Sequence, residues 1–248
     1  MRIYPAIDLY EGKVVRLKRG NFQDLTVYSL DPAAFAKEWE SQGAEWIYLV
    51  DLEGALTGIL KNRASLSKIR RSVRCKIQFG GGLRKIEDIE NLLTEGVDRV
   101  ILGTKALEES FFKKALEKFA EKIAVGLDVQ NGLIKTQGWL QSTQTPLQEA
   151  LLRFNQTPLE TIIYTDIQKD GMLAGPNLED LKKILPQSKA RIILSGGISQ
   201  TGDIRDCQKI TAKNFEGIII GKALYDKKFT LREAIQLTAP IQNSQGGT

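Results

Sequence analysis

The stretch Ile7-Asp8-Leu9-Tyr10-Glu11-Gly12 returns later in the chain as Leu127-Asp128-Val129-Gln130-Asn131-Gly132. Further stretches recur in the same order. Tyr48-Leu49-Val50-Asp51-Leu52 matches Tyr164-Thr165-Asp166-Ile167, with Asp51 on Asp166. Gly81-Gly82-Leu83 with Asp88-Ile89 matches Gly196-Gly197-Ile198 with Asp203-Ile204. Ile101-Leu102-Gly103-Thr104-Lys105-Ala106-Leu107 matches Ile219-Ile220-Gly221-Lys222-Ala223-Leu224-Tyr225. Collinear matches of this kind describe two halves related by a pseudo-twofold axis. An open sheet would not put its halves in equivalent surroundings, whereas a closed ring of strands does. The repeat therefore selects a single (β/α)8 barrel built from two half-barrels.

Working outward, short apolar and β-branched runs alternate with segments of helical period, the pattern of parallel strands joined by crossover helices. The pattern predicts strands at about 2–8, 45–51, 76–79, 98–102, 122–128, 159–165, 190–194 and 215–220. It predicts helices at about 31–42, 58–72, 85–95, 108–120, 145–155, 177–185, 200–208 and 230–237. Asp31-Pro32 supplies an N-cap followed by Pro at the first helical position. No linker divides the chain, so residues 1–240 are expected to form one catalytic domain. The polar, glycine-containing residues 241–248 are expected to be a loose tail.

The chain has 248 residues, a usual length for one such barrel, and 42% hydrophobic residues suffice for its core. Lysines and arginines outnumber aspartates and glutamates 35 to 30, but they are scattered. That balance suits a small anionic substrate, with no nucleic-acid partner. Cys75 and Cys207 lack metal spacing and read as thiols in a reducing compartment, which with the lack of a membrane-length apolar run points to the cytoplasm and no membrane partner. The absence of histidine excludes His-based metal sites and Ser-His or Cys-His catalysis.

In a barrel of this kind, catalytic groups sit where strands end and β-α loops begin. Asp8 ends the first strand and Asp128 the fifth, so the two carboxylates face each other across the mouth. Either aspartate alone could merely begin a turn. At symmetric strand ends, the pair can serve as general acid and general base once their surroundings push their pKa values apart. Glycine clusters form a second constellation. Gly81 and Gly82 follow the third strand, Gly103-Thr104 the fourth, Gly196-Gly197 the seventh and Gly221-Lys222 the eighth. Glycine lets a backbone approach phosphate oxygens, and the loops after strands seven and eight are a frequent phosphate site. The doubled motif predicts two phosphate sites on opposite sides of the mouth, although tight turns alone would also use glycine. Arg16 lies in a long charged first loop, about 16–29, expected to fold over the mouth as a mobile lid. Trp139 follows the strand-five turn, as core or as a plate for a flat heterocycle. Thr165 ends strand six, and Asp170-Gly171 follows in its loop.

These residues resemble one family. Pro5-Ala6-Ile7-Asp8-Leu9, Val15-Arg16-Leu17, Leu49-Val50-Asp51-Leu52, Gln78 to Arg84, Gly126-Leu127-Asp128 and Gly138-Trp139 look like the HisA isomerase family of histidine biosynthesis. So do Lys169-Asp170-Gly171, Leu173-Ala174-Gly175-Pro176-Asn177 and the later glycine stretches. The resemblance runs from about Ile3 to Ile235. It implies that the substrate is phosphoribosylformimino-aminoimidazole-carboxamide ribotide, a small molecule with a phosphate at each end. It implies an Amadori rearrangement of aminoaldose to aminoketose, without metal or organic cofactor, in a protein expected to be a monomer. By resemblance, Asp8 takes the sugar C2 proton, and Asp128, with Asp170 as rival, protonates the ring oxygen. Thr165 supports the sugar or the acid, and Arg16 and Trp139 grip substrate. Two positions depart from the family: Tyr48 stands where members often carry His, and Met172 where they often carry Thr. Rival readings are the cyclase subunit of the same pathway and an isomerase that also accepts phosphoribosylanthranilate. The latter tend to carry Arg where this chain has Gln137. A phosphate-binding barrel without catalysis is the rival from another class.

Overall fold

The structure, a computed structural model, describes residues 1–18 and 20–239. The expected tail at 241–248 lies outside the described residues. The strands are β1 (Arg2–Tyr10), β2 (Lys13–Lys18), β3 (Asn21–Ser29), β4 (Trp46–Asp51), β5 (Lys76–Gly80) and β6 (Arg99–Leu102) in the first half. The second half holds β7 (Ile123–Gln130), β8 (Leu133–Thr136), β9 (Gln141–Pro146), β10 (Thr161–Asp166), β11 (Arg191–Ser195) and β12 (Phe215–Ile220). Parallel pairing runs β1-β4-β5-β6-β7-β10-β11-β12 and returns to β1, which closes the barrel and leaves its strands no free edge. The outer helices are α1 (Pro32–Ser41), α2 (Leu52–Thr57), α3 (Arg63–Ser72), α4 (Ile86–Thr94) and α5 (Glu109–Phe119), then α6 (Leu147–Phe154), α7 (Leu178–Ile184), α8 (Thr201–Gln208), α9 (Lys222–Tyr225) and α10 (Leu231–Thr238). Asp31 caps α1 by accepting from the backbone N–H groups of Ala33 and Ala34.

The structure differs from the sequence reading in two places. The loops after β1 and β7 are antiparallel hairpins, β2–β3 and β8–β9, at equivalent points of the two halves. Each begins with a pair of residues at positive φ, Glu11-Gly12 and Asn131-Gly132, the backbone twist that a two-residue hairpin turn requires. The helix expected over 58–72 begins only at Arg63 as α3, and a short helix that was not expected, α2, precedes it at Leu52–Thr57. Gly58, in the left-handed conformation, ends α2 and donates its N–H to the Gly54 carbonyl.

Strand side chains that point outward pack under the helices in one large cluster, in which Ile7, Leu49, Ile77 and Leu194 are fully buried. Those that point inward make a second cluster of Tyr4, Ala6, Ile101, Ala124, Ile163, Ile193 and Ile219. Truncating such an isoleucine to alanine costs about 2–5 kcal/mol. Below this layer the barrel is closed by polar groups. Arg99 donates to Gln78 Oε1 at 2.7 Å and Thr161 Oγ1 at 3.0 Å, and its guanidinium lies 4.7 Å from the Trp46 ring centre. Glu216 accepts from the Tyr4 hydroxyl and pairs with Arg2 at 3.3 Å and Arg99 at 3.5 Å. Buried charges persist only when paired in this way.

Candidate active site

At the opposite, C-terminal end of the strands the barrel opens into a cleft enclosing about 1590 Å³, solvent at its mouth included. Every candidate residue named from the sequence lines it. Strand register explains the placement of the acids. Asp8 pairs with Val50 of β4 and Asp128 with Thr165 of β10, so each carboxylate leaves the last inward-facing layer of its strand.

Asp8 is buried, with 7% of its surface exposed. Its Oδ2 accepts from Arg16 Nη1 at 2.8 Å. Burial pushes the Asp8 carboxyl up to about 6, with the neighbouring Asp170 carboxylate adding to the rise and Arg16 opposing it. Arg16 was expected in a mobile loop, but it lies in β2, next to Val15, which pairs with Asp8 across the hairpin. Its side chain is buried, Nη2 lies 3.5 Å from Asp170 Oδ1, and its guanidinium is 5.9 Å from the Tyr225 ring centre. One guanidinium thus sits between two carboxylates.

Asp128 occupies the other side. Its Oδ2 accepts from Trp139 Nε1 at 2.8 Å, and the Thr165 hydroxyl also bonds to it. Burial raises its pKa, the two donors oppose the rise, and Asp170 adds to it. Trp139 reaches the carboxylate from a backbone at φ +72°, after Gln137 and Gly138 also at positive φ. Such a conformation is rare for an aromatic residue and costs of order 1–3 kcal/mol. The Trp139 ring also lies against Gly20, at the end of the other hairpin, so the two hairpins meet over the cleft.

Asp170 is set by the turn after β10, where its N–H donates to the Asp166 carbonyl at 3.1 Å. Asp166 and its counterpart Asp51 are not at the reacting centre. The buried Asp51 carboxylate accepts from Gly54 N, Lys61 N, and both Asn62 N and Nδ2 at 2.8–2.9 Å. Asp166 accepts from Gln168 N at 2.9 Å and Asn177 Nδ2 at 2.7 Å. Sequence reasoning matched the two aspartates but missed their asparagine partners. The signal was present: each Asn stands the same distance along the chain after its Asp.

The glycine loops pack on the loops these aspartates fix. A Cβ at Gly82 would stand 2.4 Å from the Gly54 carbonyl oxygen, and one at Gly197 2.4 Å from that of Gly175. With φ at +79° and +92°, both positions exclude a side chain on two counts. Gly81 and Gly196 complete each pair. Gly103 and Gly221 share one unusual backbone conformation, φ −95° ψ −105° and φ −111° ψ −97°, and each opens a short helical turn. The first N–H groups of such turns have no partner within the turn, and Gly103, Thr104, Gly221 and Lys222 line the cleft. Thr104 Oγ1 accepts from Gln137 N at 3.1 Å, which ties the β8–β9 hairpin to the first-half loop. Lys222 Nζ is turned to Asp226 at 2.6 Å. Both cysteines are free, and among the described residues no helix is long and apolar enough to cross a membrane.

Comparison with known proteins adds to this geometry. Residues 2–230 match the family model described as histidine biosynthesis protein. The chain is 44% identical over 239 residues to a protein of Lachnoclostridium phytofermentans, covering 96% of this chain and 99% of the relative. It is 45% identical to one of Brevibacillus brevis, covering 94% of each. It is 44% identical to one of Thermodesulfovibrio yellowstonii, covering 96% and 97%. Each of these relatives is named 1-(5-phosphoribosyl)-5-((5-phosphoribosylamino)methylideneamino)imidazole-4-carboxamide isomerase.

Proposed function

The chain belongs to the histidine biosynthesis protein family, and from that membership together with the paired carboxyls of the cleft we infer how it works. It is an isomerase that converts the aminoaldose end of phosphoribosylformimino-aminoimidazole-carboxamide ribotide into the aminoketose. The observation that carries the mechanism is the pair Asp8 and Asp128, one carboxyl buried and the other half-buried on opposed strands, both raised in pKa. A raised carboxyl can hold a proton for donation at neutral pH, and an ionised one can receive a proton from carbon.

Asp128, protonated, gives its proton to the ring oxygen as the nitrogen lone pair breaks the C1–O bond and the ring opens to an iminium. Asp8, ionised, takes the C2 proton, and the C2–H electrons form the C1=C2 bond while nitrogen becomes neutral. The enol oxygen then returns a proton to Asp128 as Asp8 delivers its proton to C1. The product is the ketone, and both carboxyls regain their starting states without an added cofactor. Arg16 keeps Asp8 ionised against burial, and Trp139 and Thr165 hold Asp128 in place. The doubled loops, Gly81-Gly82 with Gly103-Thr104 and Gly196-Gly197 with Gly221-Lys222, take the two phosphates. Their glycines supply access and their turns supply N–H groups. Asp170 is a second reading for the acid, favoured by its contact with the guanidinium that also holds Asp8.

Steady-state kinetics of Asp8→Asn, Asp128→Asn and Asp170→Asn test the roles. Asp8→Asn is expected to abolish turnover while binding is retained. Asp128→Asn is expected to lose about 10²–10⁴-fold in kcat rather than KM. A mild Asp128→Asn beside an inactive Asp170→Asn transfers the acid role to Asp170.

A further inference from the structure

We propose that the Tyr48 hydroxyl is a catalytic hydrogen-bond donor to the oxygen on the sugar's C2 carbon, a role resting on the isomerase mechanism above. Tyr48 lies on the inward face of β4, paired with Ala6, while Asp8 pairs with Val50 one inward position higher. Its ring therefore packs on the inner apolar layer. Its residue lines the cleft floor directly beneath the acids. The charges acting on the phenol are Asp128, Asp8 and Asp170 from three different strands or loops, and Arg16 from β2. Burial and the three carboxylates push its pKa far up, so the group stays a neutral O–H at every working pH.

Most neighbouring donors are engaged: Arg16 gives Nη1 to Asp8 and sets Nη2 beside Asp170, with only its buried Nε unpartnered, and Trp139 and Thr165 bond to Asp128. The Tyr225 hydroxyl donates to the Ala6 carbonyl at 2.6 Å. Among the described residues the Tyr48 hydroxyl has no hydrogen-bond partner. Asp128, Asp8 and Asp170 act on it through space without a hydrogen bond to it. A sugar hydroxyl fits that gap by its chemistry, because it can accept from Tyr48 and donate to a carboxylate at once, which a carboxylate alone cannot do. The C2 hydroxyl is the one next to the proton that Asp8 removes. As the C1=C2 bond forms and the enol oxygen becomes a carbonyl, electron density on that oxygen changes. A fixed neutral donor in a buried site stabilises that change more than water does.

Tyr48→Phe removes one oxygen and keeps the ring on the inner layer. The expected result is a kcat lower by about 10- to 100-fold with KM within about threefold. The limbs of the pH profile should stay in place, since Tyr48 acts on substrate and not through the carboxylates. Tyr48→His, which restores a donor, should recover part of the loss. Thermal unfolding of both variants checks folding. A Phe variant with unchanged kcat, a loss confined to KM, or limbs that move while the plateau holds would each overturn the proposal. Asp8→Asn is measured alongside. If it remains active the mechanism itself fails, and if it is inactive while Tyr48→Phe is unimpaired only the role of Tyr48 fails.

Discussion

Replacing Arg16 with methionine removes a buried charge and keeps most of the side chain's length. Arg16 Nη1 is 2.8 Å from Asp8 Oδ2, and Nη2 is 3.5 Å from Asp170. Two unit charges at 2.8 Å interact by roughly 1.5 kcal/mol at the dielectric of water and about 3 kcal/mol at half that value. At ~1.4 kcal/mol per unit this is about one to two pKa units, and Asp170, no longer screened, pushes the same way. The Asp8 carboxyl, held at about 6 with Arg16 present, should therefore move to roughly 7–8. As a base, Asp8 works ionised, so activity is lost as pH falls through its pKa. Raising that pKa moves the acid limb upward. At pH 7 the ionised fraction should drop from about nine-tenths to between roughly a half and a tenth. The assay is kcat and kcat/KM against pH for Arg16→Met, with Arg16→Lys as the charge-retaining comparison. An acid limb that stays in place while KM rises would refute the reasoning, and would return Arg16 to a purely substrate-gripping role.

Trp139→Phe keeps the ring but loses the N–H that Asp128 accepts, so Asp128 rises further; because the acid must be protonated, the basic limb of the pH profile should move up by on the order of one unit. Gly82→Ala should lower stability by about 1–3 kcal/mol, read by thermal or denaturant unfolding, because its Cβ meets the Gly54 carbonyl from a positive φ. Gly103→Ala, whose Cβ meets nothing within 4 Å, should cost less stability, and a raised KM will report phosphate binding there. The folded-state rise of Asp8 from 3.8 to about 6 gives stability that is present below pH 3.8 and lost as pH rises through about 6. That loss is on the order of 3 kcal/mol, and urea unfolding of Asp8→Asn across this range should show a correspondingly flatter pH dependence.

The barrel strands were legible because parallel strands covered on both sides are near-continuous apolar runs, as Ile162-Ile163 and Ile192-Ile193-Leu194 show. Asp8 and Asp128 were legible because the repeat placed them at equivalent strand ends. The two hairpins were not. Lys13-Val14-Val15-Arg16-Leu17-Lys18 carries too much charge to read as a strand, and its arginine is buried only because two carboxylates await it from β1 and the β10 loop. Asn131-Gly132 was a direct hairpin signal that the eight-strand reading absorbed as a simple turn. The helix expected over 58–72 starts only at Arg63, because Gly58 in the left-handed conformation ends a short helix at Leu52–Thr57 and the backbone up to Asn62 is held by the Asp51 carboxylate. The link of Trp139 to Asp128 depends on a backbone conformation that sequence preferences disfavour, so no propensity could announce it.

The closed floor of the barrel has a bearing on traffic. With Arg99, Tyr4 and Glu216 sealing the lower end, the described residues leave the cleft one door, and whatever is made leaves by the way its precursor came in. Reactant and product of this isomerisation have the same mass, the same charge and the same two phosphate ends. Anchors at those ends hold both alike and give no preference for expelling either. The product should therefore compete with its own precursor for the doorway, and net flow must be drawn by the ring that has opened and by whatever next consumes the ketose.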